Sequence, residues 1–123
     1  MKQQAVFRLG LAVFSGLVSF MFVFNGVTIL TAAHVPEWAK VYAYVCAGYG
    51  LGNVYILSSA WRTNASWAVW ANKLIASCYF GVFLIDRWKG GMESAVELIG
   101  IAIVAAVLWF NWYAVREVCR GGE

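Results

Sequence analysis

Four long apolar runs, separated by short polar stretches, make up most of this chain. They cover about residues 9–32, 41–60, 67–85 and 95–115. A helix that crosses a bilayer needs about 20 residues at 1.5 Å per residue, and each run meets that length. The pattern therefore predicts an all-α, polytopic membrane protein with four transmembrane helices. The connections are short, which favours antiparallel neighbours and an up-down bundle in a single membrane domain.

Composition agrees with this prediction. Of the 123 residues, 63% are hydrophobic and 12% are charged, whereas about 25% are charged in an ordinary soluble domain. The four runs use most of the chain, so no separate soluble domain is expected. Lys2 and Arg8 flank the first run as they would in a signal peptide. The run is longer than the ~7–15 residues of a signal-peptide core and three more follow, so we expect a retained first helix.

Basic residues are distributed unequally between the two sides of the predicted bundle. One side carries five, Lys2, Arg8, Arg62, Arg116 and Arg120, and the other carries three, Lys40, Arg87 and Lys89. Since positive residues favour the cytoplasmic side, the bias predicts that both termini are cytoplasmic in a bacterial inner membrane. The formal net charge of +3 thus sets topology and meets lipid headgroups, and no nucleic-acid partner is expected.

Small residues predict how the helices pack. Lipid tails are as apolar as leucine, so helices in a bilayer associate where small side chains let their backbones approach. Gly48 and Gly52 form a GxxxG pair in the second run, and Ala102 and Ala106 form a similar pair in the fourth. We expect the second helix to be the central packing element. Its glycines serve either the bundle itself, a dimer or a larger partner.

A first group of polar residues lies at inner-leaflet depth. Lys73 is about two turns inside the third run, where an ionisable side chain is costly and raises a functional hypothesis. Its long stem can also carry the ammonium group to the headgroups. Asn53 descends to the same side and is the natural partner, and Asn72 would complete the patch. Structural and functional roles for Lys73 both stay open.

A second group lies near the predicted outer surface. It contains Asn25, Asp86 and the pair Glu93 and Glu97, which share one helical face by their i, i+4 spacing. Two carboxylates on one face can bind a cation or carry protons. They also suit a solvated helix start, where acids interact favourably with the helix dipole. Arg87 and Lys89 are close enough in sequence to neutralise Asp86 and Glu93.

Strong catalytic, metal and nucleotide motifs are missing from the sequence. Cys46 and Cys78 lie within apolar runs, as small buried hydrophobes do. A single histidine, His34, excludes haem held by two histidines of one chain. Small multidrug exporters have this length and four helices but carry a glutamate in the first helix, where this chain has only Asn25. No catalytic residue, metal or cofactor is predicted, although a bound lipid or quinone stays open.

The order of features along the chain resembles DoxX-type four-helix membrane proteins. The matching features are Arg8-Leu9-Gly10-Leu11, Phe24-Asn25-Gly26, Val35-Pro36, a glycine-rich second helix and Arg62. They span about two thirds of the chain. The connection Arg87-Trp88-Lys89-Gly90-Gly91 departs from the family pattern. The resemblance implies a four-helix architecture and, since some members are linked to quinone-dependent oxidation, a redox alternative. It assigns no catalytic residue.

Three functions remain after these exclusions. The leading hypothesis is a small accessory protein of the inner membrane that packs against a larger membrane complex or against its own copies. The first alternative is an oligomeric transporter or channel for ions or small solutes, with Lys73, Asn53 and Asn25 lining a path. The second is a quinone- or lipid-binding redox subunit that uses Trp70, Tyr79 and Lys73 in a lateral pocket. An enzyme is the less favoured class.

Overall fold

The chain folds into four helices whose bounds follow the apolar runs. The computed structural model describes residues 2–91 and 95–121 and is all-helical there, with α1 (Lys2–Thr31), α2 (Glu37–Thr63), α3 (Ser66–Lys89) and α4 (Ala95–Gly121). The helices cover the predicted runs to within one residue and extend past them by up to about two turns. The prediction of an all-α chain with four helices is confirmed.

Three of the four helices are long and apolar enough to cross a membrane. These are α1, α3 and α4, over Gln3–Thr31, Ser66–Lys89 and Ala95–Arg120. In the described residues, α2 is not among the apolar candidates although it is 27 residues long. It contains Asn53, four tyrosines and three glycines. Because α2 contacts all three other helices, Asn53, Tyr42 and Tyr49 are buried against protein neighbours.

The helices form a closed ring with antiparallel neighbours. Within the described residues, α1 contacts α2 and α4, α3 contacts the same two, and α2 also touches α4 across the bundle. Arg8 of α1 reaches Trp61 near the end of α2 and Val118 near the end of α4. The start of α1 therefore lies beside the ends of α2 and α4, as in an up-down bundle.

Two glycines allow a close backbone approach between α1 and α2. A Cβ atom on Gly26 would lie 2.6 Å from the Ala43 carbonyl oxygen, and one on Gly50 would lie 2.6 Å from the Ser19 carbonyl oxygen. Such distances are below normal contact, so only glycine fits these two positions. The small residues Ala43 and Gly50 place α2 against α1 by the mechanism that the sequence predicts for helix pairs.

The predicted small-residue pairs do not make this contact. Gly48 is exposed, and a Cβ there would meet nothing within 4 Å; at Gly52 it would meet only Ile75 Cδ1, at 3.6 Å. Ala102 and Ala106 of α4 are exposed as well. Within the chain, packing through Gly48 is therefore not observed. Gly50, two residues away and on another face of the helix, makes the close contact.

Two apolar layers fill the two halves of the bundle. The half that contains the helix ends near Arg8 holds Ile56, Ala60, Ala68, Val115, Val118 and Cys119. The other half is aromatic and holds Tyr42, Cys46, Tyr49, Tyr79, Phe83 and Leu108. Phe22 of α1 packs edge-on against Tyr49 and Tyr79, with ring centroids 4.8 and 4.9 Å away. The Tyr42 and Tyr79 hydroxyls share a hydrogen bond of 2.7 Å.

Arg8 ties three helix ends together. Its Nε donates to the Val118 carbonyl oxygen at 2.8 Å, and its Nη2 donates to the Trp61 carbonyl oxygen at 2.8 Å. The last four carbonyls of a helix have no partner within that helix, and the helix C-terminus attracts a cation. The guanidinium also lies 4.2 Å from the centroid of the Trp61 ring. A residue that the sequence marks as a topology signal thus also joins α1, α2 and α4.

The glycine geometry predicts opposite effects for neighbouring alanine substitutions. Gly50→Ala should destabilise the bundle by about 1–3 kcal/mol, as overpacked positions do. Gly48→Ala should be neutral or stabilising, by up to ~1 kcal/mol, because alanine is the better helix former. The measurement is the loss of helical circular dichroism as a denaturing detergent is titrated into each purified variant. Equal midpoints for the two variants would contradict the α1–α2 contact.

Candidate functional site

A layer of polar side chains separates the two apolar layers. Its members come from all four helices and are at most 3% exposed: Ser15, Ser19, Tyr49, Asn53, Asn72 and Asn111. We call this set the polar layer. It is the most distinctive feature of the interior, because buried polar groups require partners.

Helical spacing brings these residues to one level. Ser15 and Ser19 of α1, and Tyr49 and Asn53 of α2, are i, i+4 pairs and so lie one above the other on a helix face. Asn53 precedes the end of α2 by ten residues, and Asn111 precedes the end of α4 by ten. At 1.5 Å per residue, both lie ~15 Å from the same end of the bundle. The polar layer therefore lies near the middle of the helices.

Asn53 is the centre of the hydrogen-bond network. Its Nδ2 donates to Ser19 Oγ at 2.7 Å and to Ser15 Oγ at 3.0 Å. Its Oδ1 accepts from Asn72 Nδ2 at 2.6 Å and from Asn111 Nδ2 at 3.0 Å. One amide of α2 thus bonds to side chains of α1, α3 and α4.

Asn111 closes the network on the α4 side. It accepts a hydrogen bond from Ser15 Oγ at 2.7 Å and donates to the Tyr49 hydroxyl at 2.8 Å. The Asn72 Oδ1 atom is buried and has no hydrogen-bond partner among the described residues. Among the described residues, Asn72 makes one hydrogen bond to another amide, through its Nδ2, and it is the most weakly integrated amide of the three.

The groups in the polar layer are suited to holding the helices together. It contains amides and hydroxyls but no carboxylate, imidazole or ammonium group. Across the described residues, no group of three or more His, Cys, Asp or Glu side chains has an arrangement that could hold a metal ion. Hydrogen bonds between helices have strict geometry, and a slip of one helix by a turn would leave several buried groups unpaired. The layer fixes the register of the four helices.

The members of the predicted inner patch lie in two different places in the structure. Asn53 and Asn72 meet in the polar layer, whereas Lys73 is exposed and lies on the outside of α3. There it contributes to a groove between α3 and α4 with a volume of about 540 Å³. We call this the α3–α4 groove. Its lining is Lys73, Ala76, Ser77, Phe80, Gly81, Ala105, Leu108, Trp109 and Trp112.

The predicted outer patch is also only partly assembled. Arg87 Nη2 lies 2.8 Å from Asp86 Oδ2, and its Nη1 lies 3.8 Å from Glu97 Oε2. Asp86 and Glu97 are thus bridged by one cation, Arg87. Asn25 is exposed, and its Nδ2 donates to Cys46 Sγ at 3.6 Å. Glu93 lies outside the described residues.

Sequence reasoning predicts Asn53 and Asn72 and misses the other four members of the polar layer, Ser15, Ser19, Tyr49 and Asn111. A signal is present for Asn111 and for the two serines. Asn111 is the only asparagine in the apolar fourth run, and Ser15 and Ser19 have the spacing of a shared helix face. A polar residue in the middle of an apolar helix needs a partner, so Asn111 could have been paired with Asn53.

Comparisons with protein-family models, with curated proteins and with solved structures find no match for this chain. The resemblance to DoxX-type proteins therefore stays a prediction.

The network predicts a ranking of substitutions by stability. Asn53→Leu keeps a similar volume but removes partners from three helices, so it should lower the free energy of unfolding by about 1–3 kcal/mol. Asn72→Leu removes one hydrogen bond and an unpaired oxygen, so its cost should be at most ~0.6 kcal/mol, the average for interhelical bonds in membranes. Detergent-titration midpoints of both variants check the order. A larger loss for Asn72→Leu would show that Asn53 is not the centre.

Proposed function

We propose that this chain is an integral protein of a bacterial inner membrane that acts as an accessory or interaction protein. Its partner is a larger membrane protein or further copies of itself. One observation carries the proposal: small residues that would let another helix approach lie on the outer surface of the bundle. The fold itself does not use them.

Membrane embedding is supported by the surface of the bundle. Large apolar side chains are exposed on every helix, among them Phe20 at 67%, Leu51 at 63%, Trp70 at 71% and Ile103 at 58%. Soluble monomers rarely expose apolar patches larger than a few hundred Å². Since α2 is as long as its neighbours and lies alongside them, it would cross the same bilayer with its central amide shielded by protein.

The interaction role is supported by the positions of the small residues that do not pack inside the bundle. Inside the bundle, close approach depends on Gly26 and Gly50. Gly48, Ala102 and Ala106 are instead exposed. Small exposed residues on membrane helices let a second backbone come close enough for van der Waals contact. The outer faces of α2 and α4 are therefore the proposed docking surfaces.

The transporter alternative has less support. Asn53 and Asn72 are bonded to each other and buried, while Lys73 lies on the outside of the bundle. No ionisable residue belongs to the polar layer except Tyr49, whose hydroxyl is hydrogen-bonded to Asn111. A path that uses these residues would have to open the bundle and break several of the bonds that hold it.

Substitution on the outer face should separate assembly from folding. Gly48→Leu and Ala106→Leu should weaken association by about 1–3 kcal/mol, because a large side chain blocks close approach. Neither should shift the unfolding midpoint downwards, since both positions are exposed. The measurement is cross-linking in intact membranes, with Gly10→Leu as the control because Gly10 is also exposed and without neighbours. Unchanged cross-linking in both variants would show that these faces meet lipid.

Topology is tested with a reporter that is active only in the periplasm. Fused after Glu123 it should give no signal, because the five-to-three basic bias places both termini in the cytoplasm. Inserted between Ala32 and Ala33, in the connection at the opposite end of the bundle, it should be active. Activity at Glu123 and none at the connection would reverse the proposed orientation.

A further inference from the structure

Lys73 has no electrostatic partner in the described part of the chain. None of the ion pairs found there includes its Nζ. The side chain is exposed, but Lys73 follows the first residue of α3 by seven residues. Its Cα therefore lies ~10 Å along the helix axis from the start of α3. A cation at that depth on an apolar surface is costly unless an anion reaches it. The position therefore calls for a negative group near the mouth of the α3–α4 groove.

The groove has two chemically different ends. Lys73 lies at the end nearest the chain termini, and the wall there also contains Trp112. Towards Gly81 and Ala105, eight residues further along α3 and seven along α4, the lining is apolar or small. The distance from Lys73 to Gly81 along the helix is ~12 Å. A molecule with an anionic head and a hydrocarbon tail matches this gradient.

Further donors lie at the charged end. The indole Nε1 of Trp112 is buried and has no acceptor among the described residues. Arg116, one turn nearer the helix end, places its guanidinium 5.3 Å from the centroid of the Trp112 ring. Arg116 and Arg120 share the single carboxylate of Glu117, at 3.3 and 3.8 Å. On this turn of α4, two guanidinium groups thus share one carboxylate.

We propose that the α3–α4 groove binds one anionic phospholipid of the leaflet that faces the chain termini. The phosphate contacts Lys73, and an acyl chain lies along the groove over Phe80 and Leu108 towards Gly81. The volume of about 540 Å³ falls within the ~300–1,000 Å³ of clefts that hold small molecules. Basic pockets between membrane helices on the cytoplasmic side are suited to lipid headgroups. The proposal rests on the membrane placement proposed above but not on the accessory role.

Each end of the groove has a substitution that tests it and a matched control. Lys73→Met removes the charge and keeps the stem, whereas Lys89→Met makes the same change at the opposite end of α3. Gly81→Leu fills the apolar end. Gly81 is exposed and a Cβ there would meet nothing within 4 Å, so the fold should tolerate leucine. Gly10→Leu makes the equivalent change on α1, away from the groove.

The experiment counts lipids that stay bound to the protein. Each variant is placed in nanodiscs of equal parts phosphatidylglycerol and phosphatidylcholine, released into detergent and analysed by native mass spectrometry. The unsubstituted protein should retain one phosphatidylglycerol in preference to phosphatidylcholine. Lys73→Met should reduce that retention about fivefold, from the attraction of one lysine for anionic lipid. Gly81→Leu should reduce it at least as much, and both controls should leave it unchanged.

The outcomes separate this proposal from the proposed function. Failure of the protein to enter nanodiscs, or its extraction from membranes by alkaline carbonate, would overturn the membrane placement and the lipid site together. Entry into nanodiscs with no lipid preference, or with retention unchanged in Lys73→Met and Gly81→Leu, would overturn the lipid site alone. Retention of added isoprenoid quinone in place of phosphatidylglycerol would also overturn the lipid site alone. The cross-linking of Gly48→Leu reports on the accessory role independently.

Discussion

The hydrogen bonds of Asn53 are the constraint on which the rest of the bundle depends. One amide on α2 is bonded to Ser15 and Ser19 of α1, to Asn72 of α3 and to Asn111 of α4. Apolar packing alone tolerates small slips between helices, because one methyl group can replace another. Amide bonds do not, since a buried donor without an acceptor costs about 1–3 kcal/mol. The register of all four helices is thus set at one level.

This constraint explains why the two faces of α2 differ. The face that carries Asn53 must approach α1 closely enough for short hydrogen bonds, and Gly50 makes that approach possible by placing no side chain against the Ser19 carbonyl. The neighbouring aromatic half of the bundle is filled by Tyr49, Tyr79 and Phe22. On the other side of α2, a Cβ at Gly48 would meet nothing within 4 Å among the described residues. The same rotation of α2 places Asn53 inside the bundle and several apolar side chains of α2 on its outer surface.

The sequence predicts where the helices lie along the chain but not how each helix is rotated about its axis. Apolar length predicted four segments, and each observed helix covers its segment to within one residue but extends past it by up to about two turns. Spacing also placed Asn53 and Asn72 at a common depth. It could not show which face of α2 meets α1, because Gly48 and Gly50 are equally small and only the partner distinguishes them. Lys73 lies on the outside although Asn72 next to it is buried, because adjacent helical residues are rotated by about a quarter turn. Depth along the helix therefore did not predict which of the two faces the interior.

The distribution of the amides between the two helical hairpins affects how the chain is made. Synthesis completes α1 and α2 first, and that hairpin carries Ser15, Ser19 and Asn53 without the acceptor and donors that α3 and α4 later provide. The second hairpin arrives with Asn72 and Asn111 unsatisfied in turn. In the membrane location proposed above, each half would be poorly suited to hydrocarbon until it meets the other, which would couple folding to insertion late in biogenesis. A chain truncated after α2 would leave the Asn53 oxygen without the donors that Asn72 and Asn111 provide.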